Sequence, residues 1–468
     1  MGWRLSVGAT VTTVVALFGG YLVADAYDVV PGMVTLDAAP QPAAPFPDPP
    51  GATTGPIPSV ALPALPEDAP VPDTAEVGDL VDDLSGDKRL GKRVGVMVAD
   101  GGTGDTLGHS GQDRLMVPAS TQKILTGVAA YAGPGGDTRL ATRAMLHSDN
   151  RLVLVGGGDM MLAAGQGDPA AVNGRAGLGE LADQVVAKIS LTGTDAVTLA
   201  VDDTLFTGPA IAPTVRASDA EDGYVAPVAA LAVDVGRLTD DKYAPREEDP
   251  ALAAAKTFAD ALAERGVEVS GQIVRQAAPS SAVEIGRVES APLGDLVGYL
   301  LKESDNTLTE VVGRIVAIDA GLPGSADAAV SEVLATVEGL GVDLSDAELT
   351  DLSGLGEGSR MSARQLVDTL AVAAADPELR AAVTGLPVGG LEGTLADRFD
   401  GDNPGRGYAE AKTGSLPGVR SLAGAVVTDD DRLLVFAVTA DRMDKDKTWG
   451  TDAIIDDFVG DLAACGCS

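Results

Sequence analysis

Apolar and polar positions change period several times along this chain, and each change marks an element. VGDLVDDL, within residues 74–84, has helical spacing and predicts an acidic amphipathic helix. The apolar run RVGVMVA (93–99) reads as a strand, and the turn Asp100–Asp105 leads to a second short strand ending near Leu115–Val117. Together they predict a hairpin that delivers the chain to Pro118, which stops the strand, and a helix from about Ser120 to Tyr131. From about 140 to 288 the pattern changes. Short strands (RLVLVGGG, AVTLAVDDTLF, GQIVRQA) alternate with Gly and Asp turns, with helical pieces at Leu178–Ile189 and Ala251–Arg265. This predicts a β-rich insertion of one or two small domains at 141–288. Helical spacing returns at Pro292–Ser304, Leu308–Asp319 and 362–384, followed by strands Ser421–Thr428 and Leu433–Thr439 and a last helix over about Asp452–Ala464. Strands at both ends around a helical middle predict an α+β fold, its antiparallel sheet completed by the N- and C-terminal segments.

The front of the chain has a different character. Leu5–Ala24 is uncharged over about 20 residues, long enough to span a bilayer, and Ala24-Asp25-Ala26 offers a small-x-small cleavage site. Residues 1–28 therefore read as a signal peptide or as a membrane anchor, and either places the rest outside the cytoplasm, in the cell envelope. Residues 29–73 are rich in Pro and Ala, an extended linker rather than a domain. A formal net charge of −36 repels phosphate backbones and excludes nucleic acid as a partner. Aromatic residues make up only 3% of the chain, so its core is built from Ala, Val and Leu. Cys465 and Cys467, the only cysteines, could pair locally or with another molecule; they lack the His or further Cys of a zinc site and carry no catalytic expectation. No metal or cofactor motif is present.

Against this background, Ser120-Thr121-Gln122-Lys123 stands out. A helix places Ser120 and Lys123 on one face, where a neutral amine can take the proton of a hydroxyl nucleophile. The motif is short, and Ser85-Gly86-Asp87-Lys88 repeats it in a Gly-rich turn. Two further motifs follow in order: Ser304-Asp305-Asn306, at the break between two helical segments, and Lys412-Thr413-Gly414-Ser415, leading into a strand. A second Ser-Asp-Asn at 148–150 reads as a polar turn before a strand.

The ordered trio is a known signature of penicillin-recognising serine enzymes. The chain resembles the class C low-molecular-mass penicillin-binding proteins, the D-alanyl-D-alanine carboxypeptidase/endopeptidase family. The resemblance is carried by PASTQK (118–123), LVLVGGGDMML (152–162), VDDTLF (201–206), ESDNTLTE (303–310), DLSGLGEGSRMSARQLV (351–367), LEGTL (391–395) and AKTGSLPGVRSLAG (411–424). Residues 124–303 separate the first two motifs; this family inserts extra domains there, whereas β-lactamases do not. The resemblance implies a penicillin-recognising transpeptidase/β-lactamase-like fold, an antiparallel sheet with helices on both faces, over 74–140 and 289–468. It implies cleavage of terminal D-Ala, and of D-amino-acid crosslinks, in peptidoglycan stem peptides through an acyl-enzyme that β-lactams also form, with no cofactor.

In that scheme Ser120 attacks, Lys123 is its base, and Ser304 relays a proton to the leaving amine. Asn306 binds a substrate amide. Lys412, Thr413 and Ser415 receive a terminal carboxylate, and Gly414 lets substrate lie against the strand. The N–H groups of Ser120 and Ser415 form the oxyanion hole. By the same resemblance Asp219, with Asp222 second, faces the ammonium of the substrate's diamino acid. The sequence departs from the family's pattern at Met160, at Leu352 and near Val215, where an aromatic residue is usual. A β-lactamase-like hydrolase and a non-catalytic envelope module are the alternatives. The first needs a separate Glu-x-x-Asn, and the sole match, Glu303 to Asn306, overlaps Ser-Asp-Asn.

Overall fold

The computed structural model describes residues 68–444, 448 and 450–465, with the single positions 21, 65 and 66. Apart from Tyr21, the N-terminal apolar segment lies outside these residues, as does Cys467. Among the described residues no helix is long and apolar enough to cross a membrane.

The chain opens with α1 (Thr74–Gly86), capped by the Asp73 carboxylate, which accepts from Ala75 N at 2.7 Å. Strands β1 (Val94–Asp100) and β2 (Thr106–Ser110) pair antiparallel. The second strand ends earlier than its sequence suggests. Gly111, at φ 59°, turns the chain out of the sheet, and Met116 keeps only an isolated bridge to Met361. A tight 3₁₀ turn, Ala119–Gln122, then precedes α2 (Lys123–Ala132), so Ser120 sits before the helix and not within it.

The stretch 141–289 carries β3 (Ala141–Leu146), β4 (Arg151–Val155), β5 (Asp159–Leu162), α3 (Leu178–Ile189), β6 (Ala196–Asp202), the short α4 (Ala217–Glu221), β7 (Leu231–Val233), α5 (Pro250–Glu264), β8 (Glu268–Val269), β9 (Val274–Arg275) and β10 (Val283–Glu289). Its main sheet runs β10-β3-β4-β6-β8, with β9 also on β6. β10, β3 and β4 pair antiparallel, whereas β6 is parallel to β4, β8 and β9, with α3 and α5 packed on the sheet.

The chain then enters α6 (Leu293–Glu303), α7 (Asn306–Asp319), α8 (Ala326–Gly339), α9 (Ala363–Ala375) and the single-turn α10 (Ala381–Thr384), before β11 (Ala409–Leu416), β12 (Val419–Val427), β13 (Leu433–Ala440) and α11 (Thr451–Ala464). The five-stranded antiparallel sheet has the order β11-β12-β13-β1-β2, joining the last strands of the chain to the first.

Alternation along β1 explains its two-sided burial. Val94, Val96 and Val98 pack with Val77, Val81, Ile455 and Phe458 of the terminal helices α1 and α11. Met97 and Ala99 face the other way, into a core built with α2, α6, α7 and α9. The sheet is thus covered by helices on both faces. From Ala64 onward the chain forms one compact unit.

Candidate active site

Two close backbone approaches set the position of Ser120. Ala119 lies at φ 49°, an unfavourable conformation for a residue with a Cβ, held by packing on both sides. On one side the chain meets β11 and β12: Ser421 Oγ of β12 donates to Pro118 O at 2.7 Å, and a Cβ on Gly414 of β11 would stand 2.1 Å from Ser421 Oγ and 2.7 Å from Pro118 O. On the other, a Cβ on Gly354 would stand 2.1 Å from Ala119 O. The need for glycine at 414 therefore lies beneath the strand, against Pro118, and not only on the substrate side. Gly414→Ala is expected to push β11 off the Ser120 turn and slow penicillin acylation by about 100-fold, the effect of a misplacement near 1 Å. A stopped-flow acylation measurement on the folded variant checks this.

Lys123, the first residue of α2, is fully buried. Its Nζ donates to Ser120 Oγ at 2.8 Å, to Asn306 Oδ1 at 2.7 Å and to the Ser353 carbonyl. Burial pulls its pKa down to about 8, against the opposing pull of Asp351, Asp305 and Glu310. Lys412, also fully buried, is lowered well below the ordinary lysine range by burial first, then by the Lys123 and Lys242 charges; its Nζ donates to Thr413 O at 3.0 Å.

Ser304 ends α6 in the left-handed conformation, φ 57° and ψ 38°, and Asp305 caps α7 by accepting from Leu308 N at 2.9 Å. This break between helices turns Ser304 and Asn306 toward Ser120. Among the described residues the Ser304 hydroxyl has no hydrogen-bond partner, while Asn306 Nδ2 donates to Tyr224 O at 2.9 Å. The Asn306 amide is thereby oriented, oxygen toward Lys123.

These groups open onto a cleft of about 420 Å³ whose lining includes Ser120, Ser304, Asn306, Thr413, Ser415 and Thr394. Its floor is the edge of β11. The 387–389 segment covers the first half of that edge through Ala411 N to Pro387 O and Gly389 N to Ala409 O, and Lys412–Leu416 has no strand beyond it among the described residues.

Every residue of the three motifs thus converges, with Lys412 beneath the strand rather than on the cleft surface. The two decoys do not take part. Ser85 lies in the last turn of α1, not in the loop its glycine neighbours suggest, and bonds Asp82 O; Asp149 joins His147 and Arg151 in the turn between β3 and β4. Asp219 reaches the cleft wall on α4, but both its oxygens accept from Arg216, at 2.8 and 3.0 Å. Its charge is matched by the residue that precedes its own helix, which leaves less of it for a substrate ammonium. Asp222 lines the same wall.

Several contributors carry no motif. The Ser353 carbonyl that holds Lys123 is fixed from behind by Glu310, whose Oε1 accepts from Leu352 N and Ser353 N at 2.8 and 2.9 Å. Glu310 is buried and its pKa is pushed up to about 7, by burial first and then by Asp351. Asp351 organises the same loop, accepting from Ser353 Oγ, Gly354 N and Gly356 N. Thr394 Oγ1 accepts from Thr413 Oγ1 at 2.9 Å. Glu310, Asp351 and Thr394 fall within stretches that carry the resemblance, yet only the folded loops reveal their tasks.

The chain is similar to known proteins over most of its length. The family model for D-Ala-D-Ala carboxypeptidase 3 (S13) matches residues 78–247 and 239–459. Carboxypeptidase Rv3627c of Mycobacterium tuberculosis is 33% identical over 435 residues, covering 91% of this chain and 90% of that protein. Carboxypeptidase DacB of Mycolicibacterium smegmatis is 35% identical, covering 79% and 80%. Among solved structures, penicillin-binding protein 4 (dacB) of Haemophilus influenzae shares the fold with a TM-score of 0.67 at 20% identity, over 82% of this chain and 98% of that one. The chain belongs to the D-Ala-D-Ala carboxypeptidase 3 (S13) family.

Proposed function

We propose that the protein is a serine D-Ala-D-Ala carboxypeptidase, with endopeptidase activity on D-amino-acid crosslinks, acting on peptidoglycan stem peptides and acylated by β-lactams. The observation that carries this reading is the contact between Ser120 Oγ and a buried lysine amine whose proton is easily lost. Ser120 attacks the carbonyl of the penultimate D-Ala and passes its proton to Lys123, forming the acyl-enzyme; the amine of the terminal D-Ala leaves with a proton relayed through Ser304. The N–H groups of Ser120 and Ser415 receive the oxyanion. Substrate lies as an added strand along Lys412–Leu416, its carboxylate toward Thr413 and Ser415 with the Lys412 charge beneath. Asn306 holds Lys123 and a substrate amide. Water then releases the acyl group.

The inserted block, residues 141–288, is read as the family's extra domain set within the catalytic domain of 74–140 and 289–468. Action on cell-wall peptide places the enzyme outside the cytoplasm, with residues 5–24 serving either export or attachment. As supporting context, the M. tuberculosis and M. smegmatis relatives are named carboxypeptidases. Purified protein incubated with a stem peptide ending in D-Ala-D-Ala is expected to release one D-Ala, detected by mass spectrometry, and a crosslinked dimer is expected to be cut. Covalent penicillin binding without either cleavage would favour an envelope module that only binds.

A further inference from the structure

One turn of the inserted block is held against its own backbone preference. Asp234 and Val235 lie at φ 43° and 53°, and a β-branched residue rarely adopts a positive φ unless its surroundings impose it. The surroundings here are specific. Asn173 Nδ2 donates to Asp234 Oδ1 at 2.6 Å, Arg246 donates to Val235 O at 3.2 Å, and Arg237 donates to Asp234 Oδ1 at 2.9 Å. The turn aims Arg237 at the catalytic loop: its guanidinium donates to Asp305 Oδ2 at 3.3 Å, with the two side chains only 9% and 6% exposed.

The next two residues of that loop are held from the same block. Asn306 Nδ2 donates to Tyr224 O, and Thr307 Oγ1 accepts from Ala226 N at 2.9 Å. Three consecutive residues, Asp305, Asn306 and Thr307, thus each meet the insertion at a different point. An insertion acting as a spacer alone would not need to grip this loop residue by residue.

We infer that Arg237 is a positioning residue for the reaction: through Asp305 it fixes the Ser304–Asn306 loop and offsets a carboxylate that Lys123 would otherwise feel in full. This rests on the reading of Ser120 as nucleophile and Lys123 as its base. The charges around the pair come from every side. Asp305 is faced by Arg237 and Arg246 of the insertion, by Tyr299 of α6 and by Lys123; Asp234 faces the two arginines and Tyr299, and Glu303 also faces Tyr299; Lys123 is faced by Asp305, Asp351 and Glu310, with Lys412 nearby. A bare Asp305 carboxylate favours the ammonium form of Lys123, so without Arg237 the amine becomes neutral only at higher pH.

The test is the acylation rate of the full chain by a fluorescent penicillin across pH 6 to 10, for wild type, Arg237→Met, Arg237→Lys, Asp305→Asn and the Arg237→Met/Asp305→Asn pair. In Arg237→Met the rising limb is expected to move up by about one pH unit, with a rate near pH 7 about tenfold lower. Arg237→Lys retains a charge and should recover much of this, and the double variant should return the limb to its wild-type position or below. A loss equal at every pH, unrelieved by Asp305→Asn, would overturn the inference. Should Arg237→Met fail to fold, Asp305→Asn decides, because an amide oxygen can still cap Leu308: its limb should move down, and an unmoved limb counts against Arg237. A wild-type protein that penicillin never acylates at Ser120 removes the reading beneath the inference, a result readily told apart from an unshifted limb.

Discussion

Ser120→Ala is expected to abolish covalent labelling by penicillin and to lower D-Ala release by at least about 10⁴-fold, the scale on which a lone nucleophile deletion acts in a serine hydrolase. The effect should be clean because nothing nearby can replace the hydroxyl. Ser304 lines the same cleft but has no amine bonded to it, and Ser353 Oγ is committed to Asp351 Oδ2 at 2.7 Å. Ser85, the only other serine in the same short motif, lies on α1 with an exposed Lys88 on the following 3₁₀ turn. Mass spectrometry of the penicillin adduct after proteolysis checks the assignment. An adduct persisting in the variant, or found on Ser85, would refute it.

Lys123→Met should stop acylation almost as completely, by about 10³-fold or more, while leaving a protein at least as stable as the wild type. Two effects on stability oppose each other. Holding the ammonium in a fully buried site shifts its pKa from 10.5 to about 8, a difference worth roughly 3 kcal/mol at neutral pH. Methionine removes that cost but leaves the Asn306 and Ser353 oxygens without their donor, at about 1 kcal/mol each. The balance is a gain of about 1 kcal/mol at pH 7. Its sign follows from the lowered pKa: below about 8 both folded and unfolded lysine are charged and the burial cost is full. As pH rises from about 8 toward 10.5 the folded amine is already neutral while the unfolded one still binds a proton, so the wild type gains stability and the advantage of the variant shrinks. Wild-type acylation should rise with pH through about 8, and residual reaction in Lys123→Met should lose that limb. Paired denaturation curves at pH 7 and pH 10, beside the pH–rate profile, test both; an unchanged profile would clear Lys123 of the role of base.

The elements readable in the sequence were those whose pattern answers to a single local cause. Leu178–Ile189 is helical to the residue because its apolar stripe and its Gly177 entry agree. β1 is legible from its β-branched run, although burial of its Val94, Val96 and Val98 face depends on α1 and α11 arriving from opposite ends of the chain. The second strand, expected to end near Leu115–Val117, stops at Ser110 because a local signal is outweighed by a tertiary one: the apolar residues are there, but Gly111 turns them away and Met361 is Met116's partner. At the candidate site, the three ordered motifs and the family resemblance they carry pointed to Ser120, Lys123, Ser304, Asn306 and Lys412, which the fold brings together. Glu310 and Arg237 could not be found that way, since each acts through a partner distant in sequence, a loop at 351–353 and a carboxylate at 305. Arg216 was hidden for a subtler reason: its effect is to neutralise a neighbour, and no motif records what a residue cancels.

The order of strands in the five-stranded sheet has a consequence for synthesis. Val94 of β1 pairs with Ala440 of β13, and β11, which carries Lys412, reaches β1 only through β12 and β13. A growing chain therefore carries Ser120 and Lys123 for most of its length before the strand that completes their cleft exists. Such long-range closure makes folding slow and leaves assembly of the active centre to the end. On the proposed function, nascent and prematurely ended chains would hold Ser120 and Lys123 without β11, so carboxypeptidase activity would appear only after the last strands have paired.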